Sequence, residues 1–278
     1  MLHVARKLLV LSALFPAPTL AGGVDGPRPD SSGLPAVSVN AAPVGRSARV
    51  ERVPLAVRTD APMFSFPAHV RAVLNRPGEN WKADDDAAQP PAYVGVYPVA
   101  GEEAQYPERQ PHTLGFLMQS RLNALRGVLG GAVNPKALPA PLPYFPLLNA
   151  HQVTAGAVRK VETPDLVGVR FLTIYSQEGG VRFPREVVEY TFQGLTRDGK
   201  YLVTAHLPYA PASLPTRAEL ERTDGWVAGP PPSSENSPEM VLFRRANAAY
   251  LADLLKNLNA ENDRLGRFDA VIQSVRVR

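Results

Sequence analysis

Between Val188 and Leu207 apolar and polar side chains alternate with a period of two on either side of an Asp-Gly pair. In the first run Val188, Tyr190 and Phe192 share one face and Glu189, Thr191 and Gln193 the other. In the second, Tyr201, Val203, Ala205 and Leu207 oppose Leu202, Thr204 and His206. Gly199 supplies the positive φ of a tight turn, so the pattern predicts an antiparallel hairpin with one buried side. A two-stranded ribbon is marginal in water and needs further strands or a covering helix. Two more alternating runs, 153–162 and 167–177, meet at the turn tripeptide Thr163-Pro164-Asp165 and extend the hairpin to a four-strand meander. Upstream, 61–75 and 91–100 read as two further strands around a loop dense in breakers, with Pro98 marking an edge position or the strand's end.

Elsewhere the period changes to that of a helix. Leu114, Leu117, Met118, Leu122, Leu125 and Leu129 form one apolar stripe, with Thr113 as N-cap and Gly130-Gly131 as the stop. Ser237, Pro238 and Glu239 are three start signals for a long amphipathic helix, in which Phe243, Tyr250, Leu251, Leu254 and Leu258 line one side. Phe268, Val271, Ile272 and Val275 predict a short helix running into a last strand. These elements amount to an α+β fold: a largely antiparallel sheet, the meander plus N-terminal and C-terminal strands, covered by amphipathic helices.

The first residues change the picture from fold to location. Arg6 and Lys7, the apolar run Leu8–Phe15 and the exit Thr19-Leu20-Ala21 have the form of a secretory signal peptide, too short to span a bilayer. Residues 22–50, rich in Gly, Pro, Ser and Ala, read as a flexible tether, leaving 51–278 as a single domain. No other stretch has the length and apolarity of a membrane span. The expectation is an exported protein, periplasmic or extracellular. Its formal charge of +4 falls to +2 once Arg6 and Lys7 are removed. With no long basic run, nucleic acid is not an expected partner. The absence of cysteine excludes disulfides, a thiol nucleophile and a lipid-modified Cys.

Candidate chemistry is sparse. Asp84-Asp85-Asp86 is a dense acidic cluster, but calcium loops space their ligands at alternate positions around a bending Gly. His3, His69, His112, His151 and His206 include no pair at metal-binding helical spacing. Gly-x-Ser-x-Gly, Ser-x-x-Lys, a phosphate-cradling loop and a dinucleotide loop are all missing, so neither cofactor nor metal is expected. A turn closing Arg197 on Lys200 sets His206 opposite Thr191 and diagonal to Glu189, the pairing a general base would use. Glu189, Gln193 and His206 are therefore the binding or catalytic candidates. Trp81, Tyr106, Tyr144, Phe145 and Tyr209 are aromatics suited to stacking on sugar or peptide.

The segments "FPLLNAHQV", "GVRFLTIYSQ", "YTFQGLTRDGKYLVTAHLPYAPASLP" and "FDAVIQSVRV" resemble a family of exported bacterial proteins and lipoproteins of uncharacterised function. The likeness covers about residues 145–215 and the last ten or so. It transfers no functional residue, and this chain lacks the Cys of the lipoprotein members. The order meander, long helix, terminal strand is also similar to the PsbP-like fold. The resulting expectation is an exported, non-catalytic module binding a protein, peptide or envelope polymer. The alternative is an extracytoplasmic hydrolase with a dispersed site.

Overall fold

The predicted meander is present as four neighbours in a seven-stranded antiparallel sheet. The structure, a computed structural model, describes residues 33–56, 65–82, 90–108, 110–131, 141–147 and 150–278. In chain order its elements begin with β1 (Val37–Ser38), β2 (Ser47–Val53), β3 (His69–Asn75) and β4 (Tyr93–Pro98). Helices α1 (Val99–Gln105) and α2 (Leu114–Leu129) come next, then β5 (His151–Glu162), β6 (Leu166–Ser176), β7 (Glu189–Thr196) and β8 (Tyr201–Pro208). The chain continues through α3 (Arg217–Leu220), α4 (Pro238–Ala260), α5 (Gly266–Ser274) and β9 (Arg276–Val277). The sheet order is β2-β3-β4-β8-β7-β6-β5, so β8 carries the meander onto the upstream strands through β4.

The β7–β8 turn forms as its residues dictate. Asp198 Oδ1 accepts from Thr196 Oγ1 at 2.6 Å and from the Lys200 amide at 3.1 Å, and Gly199 adopts φ +72°. The resulting register sets Thr191 opposite His206 and Tyr190 opposite Leu207.

On one face α4 and α5 cover the sheet. Tyr190 and Phe192 are fully buried there, with Leu254 and Leu258 of α4 and Val271 and Ile272 of α5 in the same core. Helix α4 approaches β5 closely at Gly156, where a Cβ would lie 2.6 Å from Leu258 Cβ. A buried ionic group lies within this apolar layer at Arg170. Arg170 of β6 donates to Asp269 Oδ1 at 3.2 Å, to Asn262 Oδ1 at 2.9 Å and to the Ala157 carbonyl, while Tyr190 Oη donates to Asp269 Oδ1 at 2.9 Å. Guanidinium and carboxylate are thus hydrogen-bonded as well as paired, as burial of charge requires.

The opposite face departs from the expectation of one solvated side. It is buried under α2, α1 and the segment 141–147, where Met118, Leu122 and Leu125 pack on Phe171, Leu195 and Leu202. The molecule has three layers, and the polar half of the alternating pattern lies inside it. Of the predicted helical stripe, Leu117 is exposed, and Arg121 and Val128 are buried instead. The drift follows from a stripe of 3.6-residue period wound over 16 residues.

Other boundaries also shift. The folded part begins upstream of residue 51: β1, a 3-10 turn at Ala42–Val44 and most of β2 lie in the stretch expected to be a tether. Ala36 and Arg278 exchange two backbone hydrogen bonds of 2.8 and 2.9 Å. The last strand accordingly pairs with β1 in a separate two-stranded sheet, not with the main one. Pro98 ends β4, which is interior, and is followed directly by α1, a helix the 91–100 pattern did not announce. The first 21 residues, read above as a signal peptide, residues 22–32, Met63-Phe64 and the Asp84–Asp86 cluster lie outside the described residues.

Candidate functional site

The structure brings Glu189, Gln193 and His206 together on the α2 face of the sheet. They sit on the two strands of the hairpin because alternation sends odd positions of β7 and even positions of β8 to the same side. His206, 6 % exposed, places Nε2 2.8 Å from the Phe145 carbonyl and Nδ1 3.0 Å from Glu189 Oε2. A carbonyl only accepts, so Nε2 carries a hydrogen and donates. Nδ1 is turned to the Glu189 carboxylate, so both ring nitrogens are engaged. Gln193 reads the same residue twice, its Oε1 accepting from Phe145 N at 3.0 Å and its Nε2 donating to Phe145 O at 3.1 Å. The trio fastens segment 141–147 to the sheet. Neither ring nitrogen of His206 is left to take a proton from a substrate.

Aromatic rings continue this layer. Tyr93 stacks on His206 with centroids 5.2 Å apart, Tyr175 lies 6.3 Å away on its other side, and Tyr144 is 5.1 Å beyond Tyr175. The Arg121 guanidinium caps the row 3.6 Å over the Tyr144 ring. Further along, His69 stacks on Tyr97 at 4.4 Å. His69 Nδ1 donates to the Pro67 carbonyl at 2.8 Å, and loss of solvent pulls the imidazole pKa down to about 4. Burial pushes the Glu102 carboxyl up to about 8, and burial, with Glu102 nearby as the lesser cause, raises the Tyr97 phenol well above its ordinary value.

Among the described residues seven buried side-chain atoms have no protein partner: His69 Nε2, Tyr97 Oη, Glu102 Oε1, Gln152 Nε2, Tyr175 Oη, Thr191 Oγ1 and Thr204 Oγ1. All belong to the α2 side of the sheet, which makes this layer chemically unlike the α4/α5 side.

Beside it the molecule opens. A pocket of about 510 Å³ lies past the end of β6, lined by Tyr175, Glu178, Arg182, Pro184, Asp224 and Trp226 among others. A neighbouring cleft of about 260 Å³ shares Ser176, Glu178 and Phe183 with it and reaches His151, Asn247 and Leu251. A second pocket of about 510 Å³, between β5 and the C-terminal half of α4, offers only Asn259 and Asn262 as polar side chains. Both already accept, from the Ala157 amide and from Arg170.

The aromatics singled out by sequence are engaged internally. Tyr106 donates to the Ser65 carbonyl, Tyr209 to Glu261 at 2.5 Å, Phe145 is fully buried, and Trp81 lies under Arg71 at 5.0 Å. Sequence reasoning missed Tyr175, Arg182, Asp224 and Trp226. Asp224-Gly225-Trp226, a turn that holds a large aromatic outside any periodic run, was the available signal. No group of three or more metal-ligating His, Asp or Glu side chains occurs among the described residues, and no helix there is long and apolar enough to cross a membrane. The chain matches no protein-family model, no curated protein and no solved structure.

Proposed function

We propose that the protein is an exported, non-catalytic module that binds a protein, peptide or envelope polymer in the pocket formed by Tyr175, Arg182, Asp224 and Trp226. One observation carries this reading. His206 and Glu189, the acid–base pair of the hairpin, are bound to each other, with His206 also held by the Phe145 carbonyl, while an aromatic pocket with exposed charged groups stands open next to them. A hydrolase using His206 as base needs a free ring nitrogen facing substrate, and both nitrogens are engaged. Export is supported by the charged, apolar and small-residue order of the first 21 residues and by the likeness to exported bacterial proteins. The PsbP-like element order is a weaker support, because the terminal strand joins β1 instead of the meander.

The test is a co-sedimentation series with purified envelope polymer, run beside a panel of esterase, peptidase and glycosidase substrates. The reading expects wild-type protein to pellet with polymer, Trp226→Ala to stay in the supernatant, and no turnover. Turnover that disappears in His206→Ala would transfer the function to the hydrolase reading.

A further inference from the structure

Trp226 is held rigidly and yet left accessible. Its amide donates to Asp224 Oδ1 at 3.1 Å, and its carbonyl accepts from Arg182 Nε at 3.0 Å. Flanking bonds from Arg182 N to Gly225 O and from Val227 N to Gly180 O, both 2.9 Å, join the turn to the 180–182 segment as a β-bridge. Gly225 takes φ +73° to let the chain double back. The indole is nevertheless only half-buried and lines the pocket. A surface turn whose backbone is fixed in this way lowers the ordering cost of presenting its ring to a ligand.

The remaining lining is apolar at Val181, Phe183, Pro184 and Val187, and its three charged side chains decide the class of ligand. Glu178 and Asp224 offer acceptors, and the Arg182 guanidinium offers donors. A hydroxyl group both donates and accepts, so a polyhydroxylated ligand satisfies both kinds at once. An apolar ligand would strip water from all three charges. A cationic peptide would meet Arg182, and an anionic polymer would meet the two carboxylates. Tyr175 supplies a second ring, fixed against Tyr144. The adjoining 260 Å³ cleft adds His151, Gln177 and Asn247, so the polar lining continues past Glu178. A ligand long enough to occupy both pockets is an oligomer.

We infer that the pocket between Tyr175 and Trp226 is a binding site for a neutral oligosaccharide, with Trp226 as the platform for a sugar ring and Glu178, Arg182 and Asp224 as hydroxyl partners. The inference rests on the binding-module reading and narrows its ligand. It is tested by calorimetric titration of the full chain with oligomers of two to six units of glucose and of N-acetylglucosamine, beside oligogalacturonate and a basic oligopeptide. The expected result is saturable binding of a neutral series that strengthens with length, weakened at least tenfold in Trp226→Ala and in Asp224→Ala, with both variants melting near wild type. The milder Trp226→Phe, which keeps an aromatic face, should retain most of the affinity. Binding of the basic peptide or of oligogalacturonate in place of the neutral series, lost in Trp226→Ala, would overturn the saccharide assignment and leave the binding module standing. Sugar binding indifferent to Trp226 would overturn the site. Absence of binding by every probe would overturn the inference, and with no pelleting by envelope polymer it would remove the module reading as well.

Discussion

Glu102 and His69 sit in the same buried layer and give the protein opposite sensitivities to pH. The Glu102 carboxyl, raised from 4.5 to about 8, binds its proton more tightly in the folded state. Its contribution is complete below pH 4.5 and is lost as pH rises toward 8. His69, lowered from 6.5 to about 4, contributes fully above pH 6.5 and is lost as pH falls through 4. Thermal unfolding should therefore peak between these limits. Glu102→Gln should remove most of the alkaline decline and stabilise by on the order of 3 kcal/mol at pH 8 while changing little at pH 5. An unfolding midpoint measured from pH 4 to 9 for both proteins checks this. A second contrast concerns the polar atoms themselves. Gln193→Leu strands the amide of Phe145, whose carbonyl keeps its His206 donor, and should cost about 1–3 kcal/mol. Thr204→Val removes a hydroxyl that makes no hydrogen bond of normal geometry and only neighbours the Tyr97 phenol, and should change stability by less than about 1 kcal/mol. Denaturant midpoints with unchanged m-values separate the two.

At the scale of elements, the helices and sheet are joined by a buried ionic group where apolar packing alone would have served. Arg170 connects β6 to Asp269 of α5 and to the bulged backbone of β5 at Ala157, and Tyr190 of β7 shares the carboxylate. Removing one partner leaves a buried charge, so Arg170→Met alone should cost about 3–5 kcal/mol. The double variant Arg170→Met with Asp269→Leu should cost clearly less than the two single changes together, and a double-mutant cycle by equilibrium unfolding measures the difference. Little of this was legible in the sequence, for definable reasons. Period-two alternation located β7 and β8 and the register across Gly199, and cap residues located α2 and α4, since these signals are local. The burial of Thr191, Gln193, Thr204 and His206 was not legible. It depends on α2 and segment 141–147 folding back over the sheet from far along the chain, and alternation alone reads such residues as solvated. The pairing of β1 with β9 was hidden likewise, because two-residue strands at opposite ends carry no periodic signal. In the candidate site, the proximity of His206 and Glu189 followed from the turn, whereas the role of Phe145 in occupying the second ring nitrogen is purely tertiary.

For the molecule as a whole, the two sides of the sheet have different duties. The α4/α5 side is a close-packed apolar core around one paired arginine. The α2 side is a polar and aromatic layer that holds segment 141–147, and past β6 its Tyr175 meets Val181, Phe183 and Val187 of the other side's core in the open pocket at Trp226. Stability and recognition are thereby placed in adjacent but separate sets of residues: Gln193, His206 and Glu189 on one hand, Tyr175, Arg182 and Trp226 on the other. That separation is the central claim, and paired melting curves of His206→Ala and Trp226→Ala test it most directly. The account predicts that His206→Ala lowers the midpoint by about 5–10 °C, and that Trp226→Ala, which keeps the backbone bonds of its turn, stays within about 3 °C of wild type. A His206→Ala protein that melts with wild type would contradict it, since the histidine would then be free of the structural duty that its two occupied nitrogens assign.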